Sequence, residues 1–317
     1  MSGQEASPPT LAARLLGWVR LLRLSNALTA IADVWAGFAV VSGELTPTPA
    51  LVLATVASLG FYHGGMALND ANDAERDAVD RRERPIPQGL VRRRDAYGVW
   101  CALAGVGVAA SIAVSWLLGE PQCVLVAATL GFCVRGYNVS AVKRSALGPI
   151  VMGACRLANV SLGVAAAGSS EAVPMLRAWQ GVSAGVLLYV AGVTVFARDE
   201  ANASKRDGLA LGLAVASIGL AWFAFAPIAL QPAGVAAGTG GWWMLWVATA
   251  TFALRGMVAA LLQPTPARIG RGVGIAIQGI IVIDATLATL YAGPAAGLAI
   301  LALLPVTMLL SLWVPQT

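Results

Sequence analysis

The sequence predicts an all-α integral membrane protein, a bundle of nine or ten transmembrane helices around a central cavity. Three observations lead there. The chain of 317 residues is 58% hydrophobic and 12% charged, with a mean hydropathy of +0.74. A soluble chain carries about 25% charged residues, so this one cannot cover a water-facing surface. Apolar stretches recur on the scale of the roughly 20 residues that a bilayer crossing needs. The basic residues gather in alternate connections between those stretches, as they do in cytoplasmic loops.

The apolar segments fall at about 15–42, 49–69, 95–118, 122–139, 147–168, 179–198, 208–230, 241–262, 270–291 and 295–314. Only Ala292, Gly293 and Pro294 separate the last two, so these are two helices or one broken element. Arginines 76, 81, 82, 84, 92, 93 and 94 follow the second segment, and Lys143 and Arg144 follow the fourth. Arg198, Lys205 and Arg206 follow the sixth, and Arg268 and Arg271 the eighth. Arg177 is the exception among the alternate loops. All these loops therefore share one side, which the positive-inside rule makes cytoplasmic. Residues 1–10 read as a polar tail without a signal peptide's apolar core, and 11–317 as one transmembrane domain. The Ala, Gly and Arg content points to a GC-rich bacterium and its cytoplasmic membrane.

The net charge of +5 does not indicate nucleic acid, because the charge sits in topological loops. The cysteines (Cys101, Cys123, Cys133 and Cys155) form no CxxC pair and His63 is the one histidine, so a zinc site is not expected. An acidic cluster follows the second segment of each half, at 69–80 and 199–207. Two halves facing one another would bring both clusters to one mouth.

The sharpest chemical signal is the run Asn69-Asp70-Ala71-Asn72-Asp73-Ala74-Glu75-Arg76-Asp77. Asn69, Asp73 and Asp77 recur at i, i+4 and i+8, which reads as one stripe on a helix. Aligned carboxylates repel one another unless a hard cation lies between them. Mg²⁺ takes few protein carboxylates and completes its shell with water and phosphate oxygens. A Mg²⁺–diphosphate site at the membrane border is the chemistry this pattern suits, with Asn69, Asp70, Asp73 and Asp77 as metal ligands. Pro85 and Pro87 then end the helix. Arg84 beside them is either a phosphate contact or an anchor to lipid head groups.

The Asn-Asp-x-x-Asp-x-x-x-Asp run, followed by Arg84-Pro85-Ile86-Pro87-Gln88-Gly89, resembles the first aspartate-rich motif of the UbiA superfamily. Its members are membrane-embedded helical prenyltransferases that ionise an isoprenyl diphosphate with Mg²⁺ and pass the carbocation to an acceptor. Tyr137-Asn138-Val139-Ser140-Ala141-Val142-Lys143-Arg144 resembles the family's Tyr…Lys-Arg loop. The resemblance implies Lys143 and Arg144 on the diphosphate and Tyr137 near the reacting carbon. Arg23 and Asn26 resemble polar residues of the family's first helix. Arg198-Asp199-Glu200-Ala201-Asn202-Ala203-Ser204-Lys205 stands where the second motif belongs. Asp199 matches as a metal ligand and Lys205 as a diphosphate contact, but Ala203 replaces the second aspartate, a position Glu200 or Asp207 would have to fill.

Residues 32–38, 147–159 and 283–285 look closest to the EboC-like branch of the superfamily. Four ionisable residues lie inside apolar segments: Asp33, Arg156, Arg255 and Asp284. Such groups face a cavity or one another. Asp33 and Asp284 either line the cavity, one accepting a proton, or pair with an arginine for structure. The resemblance implies Mg²⁺ as cofactor, and a prenyl diphosphate, an unidentified small acceptor and the lipid bilayer as partners. Prenyl transfer, cyclisation of the prenyl chain to a terpene, and a transporter without catalysis are the three functional readings.

Overall fold

The computed structural model describes residues 9–168, 172–198, 206–230 and 240–313. Among the described residues every regular element is a helix. Eight spans are long and apolar enough to cross a membrane, and the shorter apolar stretches Gln122–Tyr137 and Ala184–Arg198 lie between them. Together these correspond one for one to the ten segments read from the sequence.

The first segment is broken. Helix α1 (Leu11–Leu21) starts on Thr10, whose hydroxyl accepts from the Ala13 N–H, and ends where Leu22 caps it. Helix α2 (Leu24–Ser42) then starts at Arg23, which has φ 50° and ψ 53°. A non-glycine residue in that left-handed region costs roughly 1–2 kcal/mol. Helix α3 (Pro49–Asp80) starts on Thr48, with Pro49 at a position where no N–H is needed. It runs well past the apolar boundary at 69, so the acidic run forms its last turns, as the helical spacing expects. Helices α4 (Arg93–Leu118) and α5 (Gln122–Tyr137) follow. Next comes a one-turn helix α6 (Ser140–Arg144), which the hydropathy pattern does not show. Helices α7 (Leu147–Ala166), α8 (Ala172–Arg198), α9 (Arg206–Leu230), α10 (Gly240–Leu262) and α11 (Pro266–Ala292) complete the bundle. The Gly293 turn (φ 88°) divides α11 from α12 (Pro294–Leu301), and α13 (Leu303–Trp313) closes the described chain.

Successive long helices pack on one another from α2 to α11, and α11 returns to α2, so the bundle is a closed ring. Helix α2 also packs on α7, which makes it the most enclosed element. Large apolar side chains such as Trp116, Phe132, Met244 and Leu312 stand exposed on the outside, where lipid would meet them.

The α2–α7 contact is backbone on backbone. A Cβ on Gly37 would lie 2.1 Å from the Val160 carbonyl oxygen, and one on Gly163 would lie 1.9 Å from that of Val34. Small residues let membrane helices approach this closely. The crossing lies within one turn of Asp33 and Asn159, so it fixes the deep polar residues described below. Gly163→Val is expected to destabilise the protein by about 1–3 kcal/mol. Gly105→Ala, where a Cβ meets nothing within 4 Å, should change stability by less than about 1 kcal/mol. Thermal unfolding in detergent, followed by tryptophan fluorescence, measures both.

Candidate active site

The acidic run at the end of α3 does not present one stripe. An α-helix turns about 100° per residue, so Asp77 stands about 80° away from Asn69 but only about 20° from Asp70. Two faces result. Asn69, Asp73, Arg76 and Asp80 line a cavity of about 840 Å³. Asp70 and Asp77 turn away from it and are buried.

Arg84 holds the two buried carboxylates. Its Nη1 donates to Asp70 Oδ1 at 2.7 Å, and its Nε lies 4.0 Å from Asp77 Oδ2. The loop that carries Arg84 folds back because the Leu90 and Val91 N–H groups both donate to the Pro85 carbonyl, with Gly89 at φ 71°. Ile86 and Val91 seat it against Trp18 and Leu21 of α1 and Ala67 and Ala71 of α3. Arg23 reaches the same place, with its Nη2 3.9 Å from Asp70 Oδ1. The helix break at Arg23 therefore delivers a guanidinium to the cavity mouth. Asn26, three residues on, is buried and is not among the residues lining the cavity.

The cavity face carries the cation of α6. Lys143 Nζ donates to Asn69 Oδ1 at 2.6 Å and also to Asp73 Oδ2. Arg76 Nη2 approaches the same Asp73 oxygen at 3.2 Å. Burial pulls the Lys143 pKa below the usual lysine value, with Asp73 working the other way. The Tyr137 ring faces the ammonium, its centroid 5.8 Å from Nζ. This loop is pinned to α3 by Asn72, whose Nδ2 donates to the Asn138 carbonyl at 2.8 Å while its Oδ1 accepts from Tyr97 Oη at 2.7 Å. Arg198, at the end of α8, donates from Nη2 to the Lys143 and Ser145 carbonyls at 2.9 and 2.6 Å.

Arg144 and Arg198 also line the mouth. Arg76 and Arg198 stand inside the two acidic runs, but the sequence assigns neither of them a site role. The i+3 spacing of Arg76 from Asp73 and the place of Arg198 beside Asp199 were the available signals. Asp199, Lys205 and Ala203 lie outside the described residues. Among the described residues no group of three His, Cys, Asp or Glu side chains is assembled as a metal cluster. Seven basic residues line the mouth (Arg23, Arg76, Arg81, Arg84, Lys143, Arg144 and Arg198) against Asp73 and Asp80. The two further carboxylates behind Arg84 leave it positive, so the mouth is a seat for a polyanion. Away from the mouth the lining becomes apolar, with Phe61, Leu130, Val134, Met152 and Ile277, and it includes Arg156, Asn159 and Ser58. Arg255 is elsewhere, stacked over Phe252 at 4.2 Å.

The model of the UbiA prenyltransferase family matches residues 30–271. The chain belongs to this family. Digeranylgeranylglyceryl phosphate synthase of Natronomonas pharaonis is 36% identical over 104 residues, which are 33% of this chain and 37% of that protein. The chain thus spans little more than a third of the length of that relative. The solved apo structure of a UbiA homolog from Aeropyrum pernix superposes with a TM-score of 0.66 at 20% identity, covering 82% of this chain and 96% of that one. A UbiA homolog from Archaeoglobus fulgidus, solved bound to GPP and Mg²⁺, gives 0.60 at 14% identity, covering 90% and 99%. These likenesses show that the UbiA fold is shared.

Removing one partner of a buried ion pair strands the other charge at about 3–5 kcal/mol. Arg84→Met is therefore expected to lower stability by about that much, because Asp70 and Asp77 lose their counter-charge. Glu75→Gln, which breaks only the exposed bridge to Arg93, should cost less than about 1 kcal/mol. Chemical denaturation in detergent separates the two.

Proposed function

We propose that this UbiA-family chain is a Mg²⁺-dependent prenyltransferase, which ionises an isoprenyl diphosphate at the positive mouth and transfers the prenyl group to a small acceptor. The observation that carries the reading is the Lys143 ammonium held between Asn69 and Asp73 in a cavity that is basic at one end and apolar beyond. Support also comes from a family neighbour solved with GPP and Mg²⁺ and from relatives named for prenyl transfer. The mouth is taken to face the cytoplasm, because the basic loops lie at that end.

The donor set suits Mg²⁺. Asn69 Oδ1 and Asp73 Oδ2 are hard oxygens that already hold one cation between them, and Mg²⁺ needs only one or two protein carboxylates beside phosphate oxygens. Asn69 and Asp73 would hold the ion, with Asp199 as a further ligand. Asp70 and Asp77 would set the field from behind, through Arg84. Bound there, Mg²⁺ supplies charge neutralisation to the leaving diphosphate. Lys143 moves its ammonium from Asp73 to the diphosphate oxygens, and Arg23, Arg144 and Arg198 compensate the remaining charge. The Tyr137 ring faces the position that Lys143 occupies, so its π-face can stabilise an allylic cation formed beside it. The apolar lining beyond keeps water from that cation.

The EboC-like affiliation is a further part of this proposal and rests on the resemblance of residues 32–38, 147–159 and 283–285. These stretches carry Asp33, Arg156 and Asn159, which meet in one hydrogen-bonded cluster whose Arg156 and Asn159 line the cavity. A polar group there favours capture of the cation by a second molecule over cyclisation of the prenyl chain on itself.

The test is to incubate the detergent-purified protein with geranyl diphosphate, with and without Mg²⁺, and measure binding and diphosphate release. Mg²⁺-dependent binding that Asp73→Asn weakens, with kcat/KM lowered by about 10²–10³, is the expected result. Equal binding without Mg²⁺ and in Asp73→Asn would sink the reading. Release of a cyclic hydrocarbon without any acceptor would transfer it to a terpene cyclase.

A pH dependence follows from Lys143. Its pKa is lowered by burial in the ligand-free protein, and a bound diphosphate, being anionic, raises it. Binding therefore takes up a proton at alkaline pH, and affinity falls as pH rises through the lowered value. Lys143→Arg, which stays charged, is expected to carry the fall to higher pH; affinity measured from neutral to alkaline pH checks this.

A further inference from the structure

The deep end of the cavity holds a polar cluster that the diphosphate chemistry does not use. Arg156 Nη1 donates to Asp33 Oδ2 at 2.8 Å and its Nη2 donates to Thr29 Oγ1 at 2.8 Å. Asn159 Nδ2 donates to the same Asp33 oxygen at 2.9 Å and to the Ala30 carbonyl at 3.0 Å. Ser58 Oγ donates to Asn159 Oδ1 at 2.6 Å. The Tyr62 ring lies beneath the guanidinium, 6.0 Å from it. A guanidinium has five N–H donors. Asp33 and Thr29 take two of them, and the side chain keeps 14% exposure in a residue that lines the cavity. Donors therefore remain for a ligand, on a side chain locked in place by its buried partners.

The cluster is separate from the diphosphate seat. On the continuous helix α3, Tyr62 and Ser58 precede Asn69 by seven and eleven residues, which is about 10 and 16 Å at 1.5 Å per residue. One cavity connects the two ends.

Charge decides what the cluster accepts. Asp33 Oδ1 and Asp284 Oδ2 are buried and reached by no N–H or hydroxyl donor among the described residues. Arg156 and Asp33, 2.8 Å apart, already cancel, and Asp284 brings no positive charge in any protonation state. An anionic ligand would bring uncompensated charge into a low-dielectric site. A neutral oxygen would accept from the spare Arg156 donors without that cost.

We propose that the Arg156–Asn159–Ser58 cluster is a second binding subsite, for a neutral hydroxyl-bearing acceptor whose oxygen Arg156 holds while the diphosphate occupies the mouth. The assignment rests on the prenyl-transfer reading above for the acceptor's role, but the binding itself does not.

The test uses two probes that share one ring, benzyl alcohol and benzoate. Their binding to the full chain in nanodiscs is followed by ligand-observed NMR and corrected by empty nanodiscs. The wild type is expected to bind benzyl alcohol at least tenfold more tightly than benzoate. Asp33→Asn/Arg156→Met, which removes both charges together, is expected to lose that binding at least tenfold. Asn159→Ser, which leaves the ion pair in place, should weaken it about threefold and serves if the double variant does not fold. Benzoate binding as tightly as the alcohol, neither probe binding, or a double variant that binds like the wild type would overturn the proposal. Geranyl diphosphate titrated in parallel reports on the other reading: its failure to bind wild type with Mg²⁺ strikes the prenyltransferase assignment and leaves the alcohol result to decide the subsite.

Discussion

A charge inside a bilayer must find a partner, and the architecture of this cavity follows from that requirement. Arg84 answers two carboxylates, Asp70 and Asp77, that the pitch of α3 turns away from the cavity. Arg156 answers Asp33. Lys143 answers Asp73. Each pairing ties two elements: α3 to the loop that follows it, and, over longer stretches of sequence, α7 to α2 and α6 to α3. The ring of helices sets where these elements lie, and the ion pairs set how the polar end is arranged.

The three pairings differ in what they can give up. Arg84 lines the mouth but is held by the two carboxylates buried behind it, and the loop that carries it is seated on α1. Lys143 sits on a helix of one turn, faces the cavity, and shares Asp73 with Arg76. A rigid rear pair and a front pair able to exchange partners is an arrangement suited to a reaction that begins and ends with a polyanion at the mouth.

The helices were legible because length and hydropathy determine membrane spans almost without tertiary context. The ten segments survive with shifts at their ends, and the break at Arg23 escaped notice because a run of apolar residues does not betray a left-handed link. The acidic run announced a polar site, but the stripe was misjudged. Spacing of i+8 looks like one face on paper, and two steps of four leave Asp77 about 80° away from Asn69. The deep cluster was half visible. Asp33, Arg156 and Asp284 stood out as charges in apolar segments and Asn159 only as the end of the 147–159 stretch, whereas Ser58 and Thr29, being neutral, carried no signal until the fold placed them beside Arg156 and Asn159. Arg198 was hidden for the opposite reason: among so many loop arginines only its place beside Asp199 set apart the one that caps the Lys143 turn.

The glycine crossing of α2 and α7 makes one side of the chamber incompressible. Main chain already touches main chain at Gly37 and Gly163, so α2 and α7 cannot shift against one another to suit a ligand. The cavity itself is lined by side chains, among them Leu130 and Val134 of α5 and Val273 and Ile277 of α11. Each of these can be exchanged for a larger or smaller residue without moving a helix. Descendants of this fold that handle molecules of different length would be expected to differ on α5 and α11 and to agree where the backbones meet.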